Sequence, residues 1–306
     1  MTNAPTSRIG AWYRAIRPRT LTATYAPLGL AAAVALEHGV FDVVRFALSL
    51  VAALLLQIAS NLVNEYADYR RGADTLKVAG QGMAIKNSIL TPREVFIGAV
   101  ASIVLGSLIG LYLLTVTGPL LLWIGLFGVI VVITYTAGPF PLAYHGLGEI
   151  AVALCFGPLM VLGAYYVMAV AVDVAPILAS LPLMFTVAAI LHANNIRDID
   201  ADRVANKRTL AVRFGLKIAR LEYVFLMYGG YVVLVALVLF GVMPAGALLG
   251  FITLPEARRL VKIVTTETDP QRLHMAQGRT ARLHGQFGLL MVIGWLGWLL
   301  AAALIG

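Results

Sequence analysis

The sequence predicts an all-α polytopic membrane protein with nine transmembrane helices in one bundle. Of its 306 residues, 60% are hydrophobic and only 12% are charged, whereas about a quarter of the residues in a soluble domain are charged. The apolar residues fall in runs of about 20, the length of helix that crosses about 30 Å of hydrocarbon. The basic residues cluster between alternate runs. We therefore expect a single membrane-embedded domain over residues 1–306.

The nine predicted spans follow the apolar runs in order. They are residues 20–37, 44–67, 94–116, 119–137, 147–170, 175–195, 221–241, 243–262 and 284–305. If the N-terminus is cytoplasmic, the inner ends and loops contain every lysine and arginine except Arg45. This asymmetry predicts a cytoplasmic N-terminus and a C-terminus outside. The expected location is the inner (plasma) membrane, with the polar loops facing the cytoplasm.

Charge and cysteine content exclude some other classes. The formal net charge of +8 arises at the cytoplasmic ends of the spans, so no nucleic-acid partner is expected. The one cysteine, Cys155, lies in an apolar run and is predicted to be a small core residue without a disulfide. The first 20 residues lack the layout of a cleavable signal peptide, so the first helix is expected to remain as an anchor.

Two polar clusters end the second and sixth spans on the predicted cytoplasmic side. The first is NLVNEYADYRRGAD, residues 61–74, and the second is NNIRDIDADR, residues 194–203. An asparagine precedes an aspartate by four positions in both, which indicates a weak internal repeat of four helices with a ninth added. A site at the interface between repeats is common in membrane bundles.

Helical spacing predicts which side chains of the first cluster share a face. Asn64 and Asp68, at i and i+4, lie side by side, and Glu65 falls on a neighbouring face. Asp74 follows Gly72, where the helix can end, so Asp74 is placed to fold back toward them. In the second cluster Asn195, Asp198 and Asp202 share a stripe, and Asp200 points elsewhere if the helix continues.

The chemistry of both clusters indicates a metal–diphosphate site. Oxygen ligands without a His/Cys set favour Mg²⁺ or Ca²⁺ over zinc, and Mg²⁺ commonly completes its shell with water and substrate phosphates. Arginine and lysine suit phosphate oxygens. The basic neighbours of the two clusters are Arg70, Arg71, Arg203, Lys207, Arg208 and Arg213.

The segments NEYADYRRGAD and NNIRDIDADRVANKRTLAVRFG resemble the two aspartate-rich motifs of the UbiA superfamily of intramembrane prenyltransferases. The likeness is strongest to the branch that prenylates 1,4-dihydroxy-2-naphthoate. The first motif has the form Asn-x3-Asp-x3-Gly-x-Asp, and the second runs Asn-Asn-x-Arg-Asp-x3-Asp and continues into Lys-Arg-Thr-Leu-Ala. YTAGPFPLAYHGLGE, residues 135–149, and RPRTLTATYAP near the N-terminus are also similar to that branch. The resemblance covers the whole chain.

The resemblance implies Mg²⁺-dependent transfer of a polyprenyl group from polyprenyl diphosphate to an aromatic quinone precursor in the bilayer. The expected acceptor is 1,4-dihydroxy-2-naphthoate, which would give demethylmenaquinone. The metal-binding residues implied are Asn64, Asp68, Asp74, Asp198 and Asp202. The implied catalytic residues are Asp68, Asp198, Lys207 and Arg208, of which the last two neutralise the leaving group. The substrate-binding residues expected are Asn64, Arg71, Lys86, Tyr135, Tyr144 and Asn195.

Aromatic rings near the inner surface are candidates to face the allylic cation, because π faces attract cations. These are Tyr66, Tyr69, Tyr135 and Tyr144, and the alternative for each is an interfacial anchor. After the first motif the naphthoate branch usually has a Gly-Pro-x-Arg-like stretch, whereas this chain has GQGMAIK, residues 80–86. Lys86 is expected to supply the missing charge there. A different aromatic acceptor within the same superfamily is therefore an alternative.

Other functions and plainer interpretations also fit parts of the sequence. A cation-coupled secondary transporter would use acids within repeats, but these acids lie at the inner face and have basic neighbours. A phosphatidyltransferase would need a tight Asp-x-x-Asp-Gly pattern, which is absent. Some charged residues have plainer interpretations. The arginines taken as topogenic are Arg14, Arg17, Arg258, Arg259 and Arg272. We interpret His145 and His192 as structural and Glu149 as a charge at a helix N-terminus. Residues 265–284 could cap the site, with a turn at Asp269-Pro270 before a short helix, or could form a solvated linker.

Overall fold

The computed structural model describes residues 7–73 and 83–305. These residues form helices α1 (Arg8–Ile16), α2 (Thr22–Glu37), α3 (Val43–Arg70), α4 (Pro92–Val116), α5 (Leu120–Thr134), α6 (Gly148–Leu154), α7 (Met160–Ala169), α8 (Val174–Ala179), α9 (Leu181–Arg197), α10 (Ile199–Val204), α11 (Leu210–Leu239), α12 (Leu254–Thr266) and α13 (Pro270–Ile305). Single 3-10 turns occur at Pro18–Thr20 and Leu142–Tyr144, and a longer 3-10 segment covers Ala245–Thr253. The described part of the chain has no β-strand, as predicted.

Six helical segments of the described chain are long and apolar enough to cross a membrane. They are Val43–Arg70, Pro92–Val116, Gly148–Ala169, Val174–Arg197, Leu210–Leu239 and Pro270–Ile305. The first and fourth predicted spans correspond to α2 and α5, of 16 and 15 residues, and the eighth to the 3-10 segment followed by α12. The protein is therefore a multi-pass helical membrane protein, while the count of nine spans and the orientation stay predictions.

Local signals account for several helix boundaries. Asp42 caps α3 by accepting hydrogen bonds from the backbone N–H groups of Val44 and Arg45 at 3.0 and 2.9 Å. Thr91 and Glu94 form a reciprocal capping box at the start of α4. Between α6 and α7 the helix is kinked at Gly157, where an added Cβ would lie 2.8 Å from the Cβ of Met184. This kink lets α9 approach the backbone between α6 and α7 closely.

The core lies where α13 packs against α2, α9 and the 3-10 segment. Trp295, Phe287 and Tyr223 are the largest of its fully buried side chains. Gly246 and Gly294 bring two backbones into contact, because a Cβ on Gly246 would lie 2.1 Å from the carbonyl oxygen of Gly294. Helices α3, α4 and α5 form the other flank of the bundle, and the space between the two flanks contains the main cavity described below.

Candidate active site

A cavity of about 560 Å³ lies between α3, α4, α5, the kinked α6–α7 pair and α9. Along α3 it extends from Ser49 to Asp68, a distance of about 28 Å at 1.5 Å per residue. Its polar end is bordered by both sequence clusters and contains the charged side chains Arg17, Glu65, Asp68, Arg197, Asp198 and Lys207. The remaining length is almost entirely apolar. The cavity therefore suits a ligand with an anionic head and a long hydrocarbon tail.

Asp68 belongs to the last turn of α3 and is only 1% exposed. The hydroxyl of Tyr144 donates a hydrogen bond to Asp68 Oδ1 at 3.1 Å. Two cations lie over the Tyr144 ring, with Arg71 Cζ at 4.8 Å and Lys207 Nζ at 5.6 Å from the centroid. Tyr144 thus connects Asp68 and Arg71 of the first cluster with Lys207, which follows the second. The Leu142–Tyr144 turn is fixed beside this segment, because the carbonyl oxygen of Tyr144 accepts a hydrogen bond from the backbone N–H of Arg208 at 3.1 Å.

Asp198 lies at the junction of α9 and α10, where the backbone leaves helical geometry at φ −96° and ψ 9°. Arg197 holds its carboxylate with two hydrogen bonds, from Nε at 2.7 Å and from Nη2 at 2.5 Å. The same guanidinium donates to Asn194 Oδ1 at 2.6 Å and to Gln277 Oε1 of α13 at 2.8 Å. Arg197 therefore orients Asp198 at the edge of the cavity. Arg197 was not among the predicted site residues, although its place beside Asp198 in the second motif was a usable signal.

The break at Asp198 separates the three residues predicted to share a stripe. Asn195 turns away from the cavity and donates to Glu149 Oε1 at 2.6 Å. Asp202 is 1% exposed and lies 3.6 Å from Lys207 Nζ, which does line the cavity. Only Asp198 of the three borders the cavity, because an i, i+3, i+7 stripe requires an uninterrupted helix. Asp200 is exposed and pairs with Arg203 at 3.0 Å, so it points away from the site, as expected.

Glu149 and His192 form a buried cluster behind the site. His192 is fully buried, with Nδ1 3.1 Å from Glu149 Oε1 and Nε2 2.8 Å from the carbonyl oxygen of Ala219 on α11. Together with Asn195, these contacts join α6, α9 and α11 immediately behind the second motif. Glu149 lies in the first turn of α6, as predicted, and in addition accepts side-chain hydrogen bonds from α9.

Arg17 and Asn64 meet at the cavity on the side of the α1–α2 connection. Asn64 Oδ1 accepts from Arg17 Nη2 at 2.8 Å. Arg17 has a left-handed backbone, with φ 58° and ψ 60°, which is uncommon for a residue with a side chain. The interpretation of Arg17 as merely topogenic omitted this contact, although Arg17 begins the segment RPRTLTATYAP, which does not include Arg14. Glu65 was predicted on a neighbouring face, yet it lines the cavity and accepts from the Ile85 N–H at 3.0 Å.

The other predicted site residues are distributed as follows. Tyr135 lines the cavity. Arg71 is exposed and donates to the carbonyl oxygen of Gly138 at 2.8 Å. Arg208 and Lys86 are exposed and do not border the cavity. Asp74 lies outside the described residues. Tyr66 and Tyr69, the other aromatic candidates, do not line the cavity either, and Tyr66 packs against Phe96.

The donor set at the polar end fits a hard divalent cation. Within the described ranges, no three His, Cys, Asp or Glu side chains are grouped closely enough to hold a metal ion. Asp68 and Asp198 nevertheless border one cavity together with the carboxamides of Asn64 and Asn194. Carboxylate and amide oxygens are typical Mg²⁺ ligands, and Mg²⁺ needs only one or two carboxylates when substrate phosphates complete its shell.

Comparisons with known proteins support one family. A model of the UbiA prenyltransferase family matches residues 25–278. A 1,4-dihydroxy-2-naphthoate octaprenyltransferase of Bacillus subtilis (strain 168) is 34% identical over 280 residues, which cover 92% of this chain and 90% of that protein. The protein of the same description from Escherichia coli (strain K12) is 36% identical over 303 residues, which cover 96% of this chain and 97% of that protein.

Solved structures show the same fold at low sequence identity. A UbiA homolog from Aeropyrum pernix K1 in its apo form superposes with a TM-score of 0.69 at 16% identity, covering 90% of this chain and 97% of that one. A UbiA homolog from Archaeoglobus fulgidus bound to DMAPP and Mg²⁺ superposes with a TM-score of 0.56 at 15% identity, covering 92% of this chain and 98% of that one.

Proposed function

Because this chain belongs to the UbiA prenyltransferase family, and is therefore a prenyltransferase, we propose that it transfers a polyprenyl group to 1,4-dihydroxy-2-naphthoate. The observation that carries the proposal is the cavity, in which buried acids, amides and cations border one end of an apolar tunnel. The names of the two bacterial relatives support the acceptor. The Archaeoglobus homolog with DMAPP and Mg²⁺ supports an allylic diphosphate as the donor.

The proposed reaction breaks the bond between the allylic carbon and a diphosphate oxygen, and the electron pair departs with the diphosphate. A ring carbon of the naphthoate supplies the pair for the new carbon–carbon bond and then loses its proton. The carboxylate leaves as carbon dioxide and a proton takes its place, which gives demethylmenaquinone in its reduced form. The tunnel isolates the allylic cation from water, and Tyr135 at its polar end offers a π face.

The chain's own side chains have separate tasks in this proposal. Asp68 and Asp198, with Asn64, would hold Mg²⁺, and Asp74 and Asp202 are proposed to complete the set. Bound Mg²⁺ would neutralise charge on the departing diphosphate. Lys207 is buried beside Asp202 and lines the cavity, which supports its assignment to the diphosphate. Arg208, on the exposed side of the same turn, is proposed to attract the anionic head at the entrance.

The proposed setting is the inner (plasma) membrane, with nine spans, a cytoplasmic N-terminus, an outer C-terminus and the site open to the cytoplasm. The distribution of lysine and arginine supports this orientation. The polar end of the cavity lies where α3 and α9 end in these basic segments. Water-soluble diphosphate would then be released to the cytoplasm.

The test is acceptor profiling with purified protein in lipid nanodiscs. Labelled polyprenyl diphosphate and Mg²⁺ are supplied with 1,4-dihydroxy-2-naphthoate, 4-hydroxybenzoate or homogentisate. Of the three acceptors, we expect only 1,4-dihydroxy-2-naphthoate to give a prenylated product. Addition of a chelator should abolish formation of this product. Transfer to one of the other acceptors instead would replace the proposed substrate. Transfer that continues in chelator would remove the metal from the proposal.

A further inference from the structure

A groove of about 510 Å³ lies on the surface of the bundle between α11 and α12. Its lining residues are Leu216, Lys217, Arg220, Leu221 and Thr265. None of these five residues borders the cavity of the candidate active site, and the proposed reaction uses none of them. The groove presents two cations and two leucines side by side.

Arg220 determines the shape of this groove. Its Nε donates to the carbonyl oxygen of Val264 at 3.2 Å and its Nη2 to that of Glu267 at 2.6 Å. The last carbonyl groups of an α-helix lack partners within the helix, so these two bonds attach the end of α12 to α11. Nη1 takes part in neither bond, which leaves it as a donor for a ligand in the groove.

Lys217 lies where the long apolar part of α11 begins. The helix is interrupted at Gly215, whose φ of 80° and ψ of 166° are outside the helical region. Glycine adopts such a positive φ without steric cost, and the chain then continues as a helix to Leu239. Lys217 is exposed, so it is placed where the polar end of the bundle meets the apolar surface.

Helix α12 adds two cations on the side that faces the groove. Arg258 and Lys262 precede Thr265 by seven and three positions, so all three share one side of the helix. Both basic side chains are exposed. Long basic side chains on an apolar surface extend their charge toward water or a lipid headgroup. The groove and its border therefore carry four cations, two from each helix.

The carboxylates of both helices are engaged elsewhere. Glu256 accepts two hydrogen bonds from an arginine of α13, at 2.8 and 2.9 Å, and Glu267 accepts one from another arginine at 3.0 Å. Glu222 lies 3.6 Å from a buried histidine of α9. Within residues 7–73 and 83–305, no carboxylate lies at ion-pair distance from any of the four cations. The groove therefore attracts an anion that is not part of this chain.

An apolar stripe continues from the groove along α11. Leu221, Phe225 and Val232 recur at helical spacing and are 62%, 64% and 67% exposed. In a membrane-spanning helix such side chains lie against the acyl chains of lipids. A lipid in the groove can contact the cations with its head and this stripe with its chains, whereas a water-soluble anion can use only the cations.

We propose that the groove between α11 and α12 binds the headgroup of an anionic phospholipid. The phosphate pairs with Lys217 and Arg220, and an acyl chain lies along Leu221. Arg258 and Lys262 extend toward the same headgroup. Anionic lipids bind basic pockets between helices at a membrane surface, and a lipid that binds only the folded protein stabilises it. The assignment does not depend on the proposed function, because the residues that line the groove do not line the cavity.

The test compares an anionic and a zwitterionic lipid on the full-length protein in a neutral detergent. Native mass spectrometry measures the binding of dioleoylphosphatidylglycerol and dioleoylphosphatidylcholine. We expect the wild-type protein to bind the anionic lipid at least about 10-fold more tightly. Lys217→Gln combined with Lys262→Gln should weaken this binding about 10- to 30-fold, because each lysine contributes about 5-fold. The anionic lipid should raise the midpoint of thermal unfolding of the wild-type protein and not of this variant.

Arg93→Gln combined with Arg282→Gln is the matched control, because both arginines are exposed, carry the same total charge and do not line the groove. This control should bind the anionic lipid within about 2-fold of the wild-type protein. Lys217→Arg combined with Lys262→Arg retains the charge and should bind it within about 3-fold. The arginine variant and the comparison of the two lipids decide the question even if the glutamine variant does not fold.

Equal affinity of the wild-type protein for the two lipids would overturn the proposal, as would unchanged binding in the glutamine variant. Equal losses in the glutamine variant and its matched control would show a response to net charge alone. Loss of binding in the arginine variant would show that the groove does not recognise charge, and both results contradict the assignment. If sn-glycerol 3-phosphate stabilises the protein as much as the intact anionic lipid, the ligand is a soluble phosphate and not a phospholipid.

Discussion

Asp198 and Asp200 are two residues apart in the second motif, yet their surroundings differ. Asp198 is 5% exposed, borders the cavity and is held by Arg197. The side chain of Asp200 is 88% exposed and pairs with Arg203. We expect Asp198→Ala to lower kcat by at least about 100-fold, since it removes preorganised electrostatic stabilisation, and Asp200→Ala to stay within about 2-fold.

Steady-state kinetics in nanodiscs, with thermal unfolding as a check on the fold, measures both variants. Comparable activity of Asp198→Ala and Asp200→Ala would remove Asp198 from the metal–diphosphate site. The comparison is informative because both variants lose one carboxylate from the same ten-residue motif. If only the net charge of this motif mattered, Asp198→Ala and Asp200→Ala would lower the activity equally.

At this scale the sequence predicted what regular helix geometry determines. Asn64 and Asp68 share the cavity because α3 is continuous to Arg70. The same reasoning was wrong for the stripe through Asn195, because the helix breaks at Asp198. The hydrogen bond from Arg17 to Asn64 depends on the α1–α2 connection folding back over α3, which spacing along the chain does not encode.

At the scale of elements, Glu149 joins α6 to α9. Its Oε1 lies 2.6 Å from Asn195 Nδ2 and 3.1 Å from His192 Nδ1, and all three side chains are buried. Glu149→Leu would leave two buried polar groups without their partner, which costs about 1–3 kcal/mol each. We expect a clear fall in the midpoint of thermal unfolding in detergent. Glu267→Gln, which weakens the half-exposed pair with Arg272, should cost less than about 1 kcal/mol.

If Glu149→Leu and Glu267→Gln unfold at the same temperature, the buried cluster does not stabilise the junction of α6, α9 and α11. Kinetics with Glu149→Leu tests whether the junction also affects substrate binding. Since α9 carries the second motif, a loosened junction should raise the KM of the prenyl diphosphate.

Helix α5 forms a thin wall of the tunnel. None of its residues is buried, and most of them line the cavity. An added Cβ at Gly128 would meet nothing within 4 Å, so a larger side chain there has room to enter the tunnel. We expect Gly128→Phe to lower kcat/KM for octaprenyl diphosphate at least about 10-fold and to leave that for geranyl diphosphate within about 3-fold, because an inserted ring blocks apolar contacts of the long chain.

Gly297→Phe is the control for this comparison. Gly297 also has open space around its Cβ position, but it lies on α13 and does not line the cavity. Equal effects of the two substitutions on the long donor would show that the tunnel beside α5 does not accommodate the chain.

Element boundaries were predicted well where caps and apolar runs coincide, as for α3 and α4. The segment 265–284, expected to be a cap or a linker, is largely helical, because α13 begins at Pro270 and continues through the last apolar run. Its first turns place Gln277 beside Arg197. Asp269-Pro270 indicated a turn before a short helix, but composition alone did not indicate that this helix continues without a break into the last apolar run.

At the scale of the whole molecule, the charge asymmetry makes a prediction about orientation. Cys155 is the sole cysteine, so a Cys155→Ser background allows single cysteines to be introduced at Ser7 and Ala303. A membrane-impermeant maleimide added to intact cells should label position 303 and not position 7. Labelling at position 7, or protection of position 303, would contradict the nine-span topology. The helical bundle was predictable from composition and a site shared by the two motifs from their spacing, whereas the cavity that both motifs border needed tertiary structure.

The thin wall at α5 has a consequence for how the reaction should be measured. Leu122, Leu126 and Phe127 line the tunnel and are 43–47% exposed, so a single helix separates the prenyl chain from the surrounding acyl chains. A polyprenyl diphosphate partitions into lipid through its many methylene groups. Its effective concentration is therefore a mole fraction of the bilayer. Adding empty lipid at constant total substrate should slow turnover through surface dilution, and rates given per litre of solution will not compare between preparations.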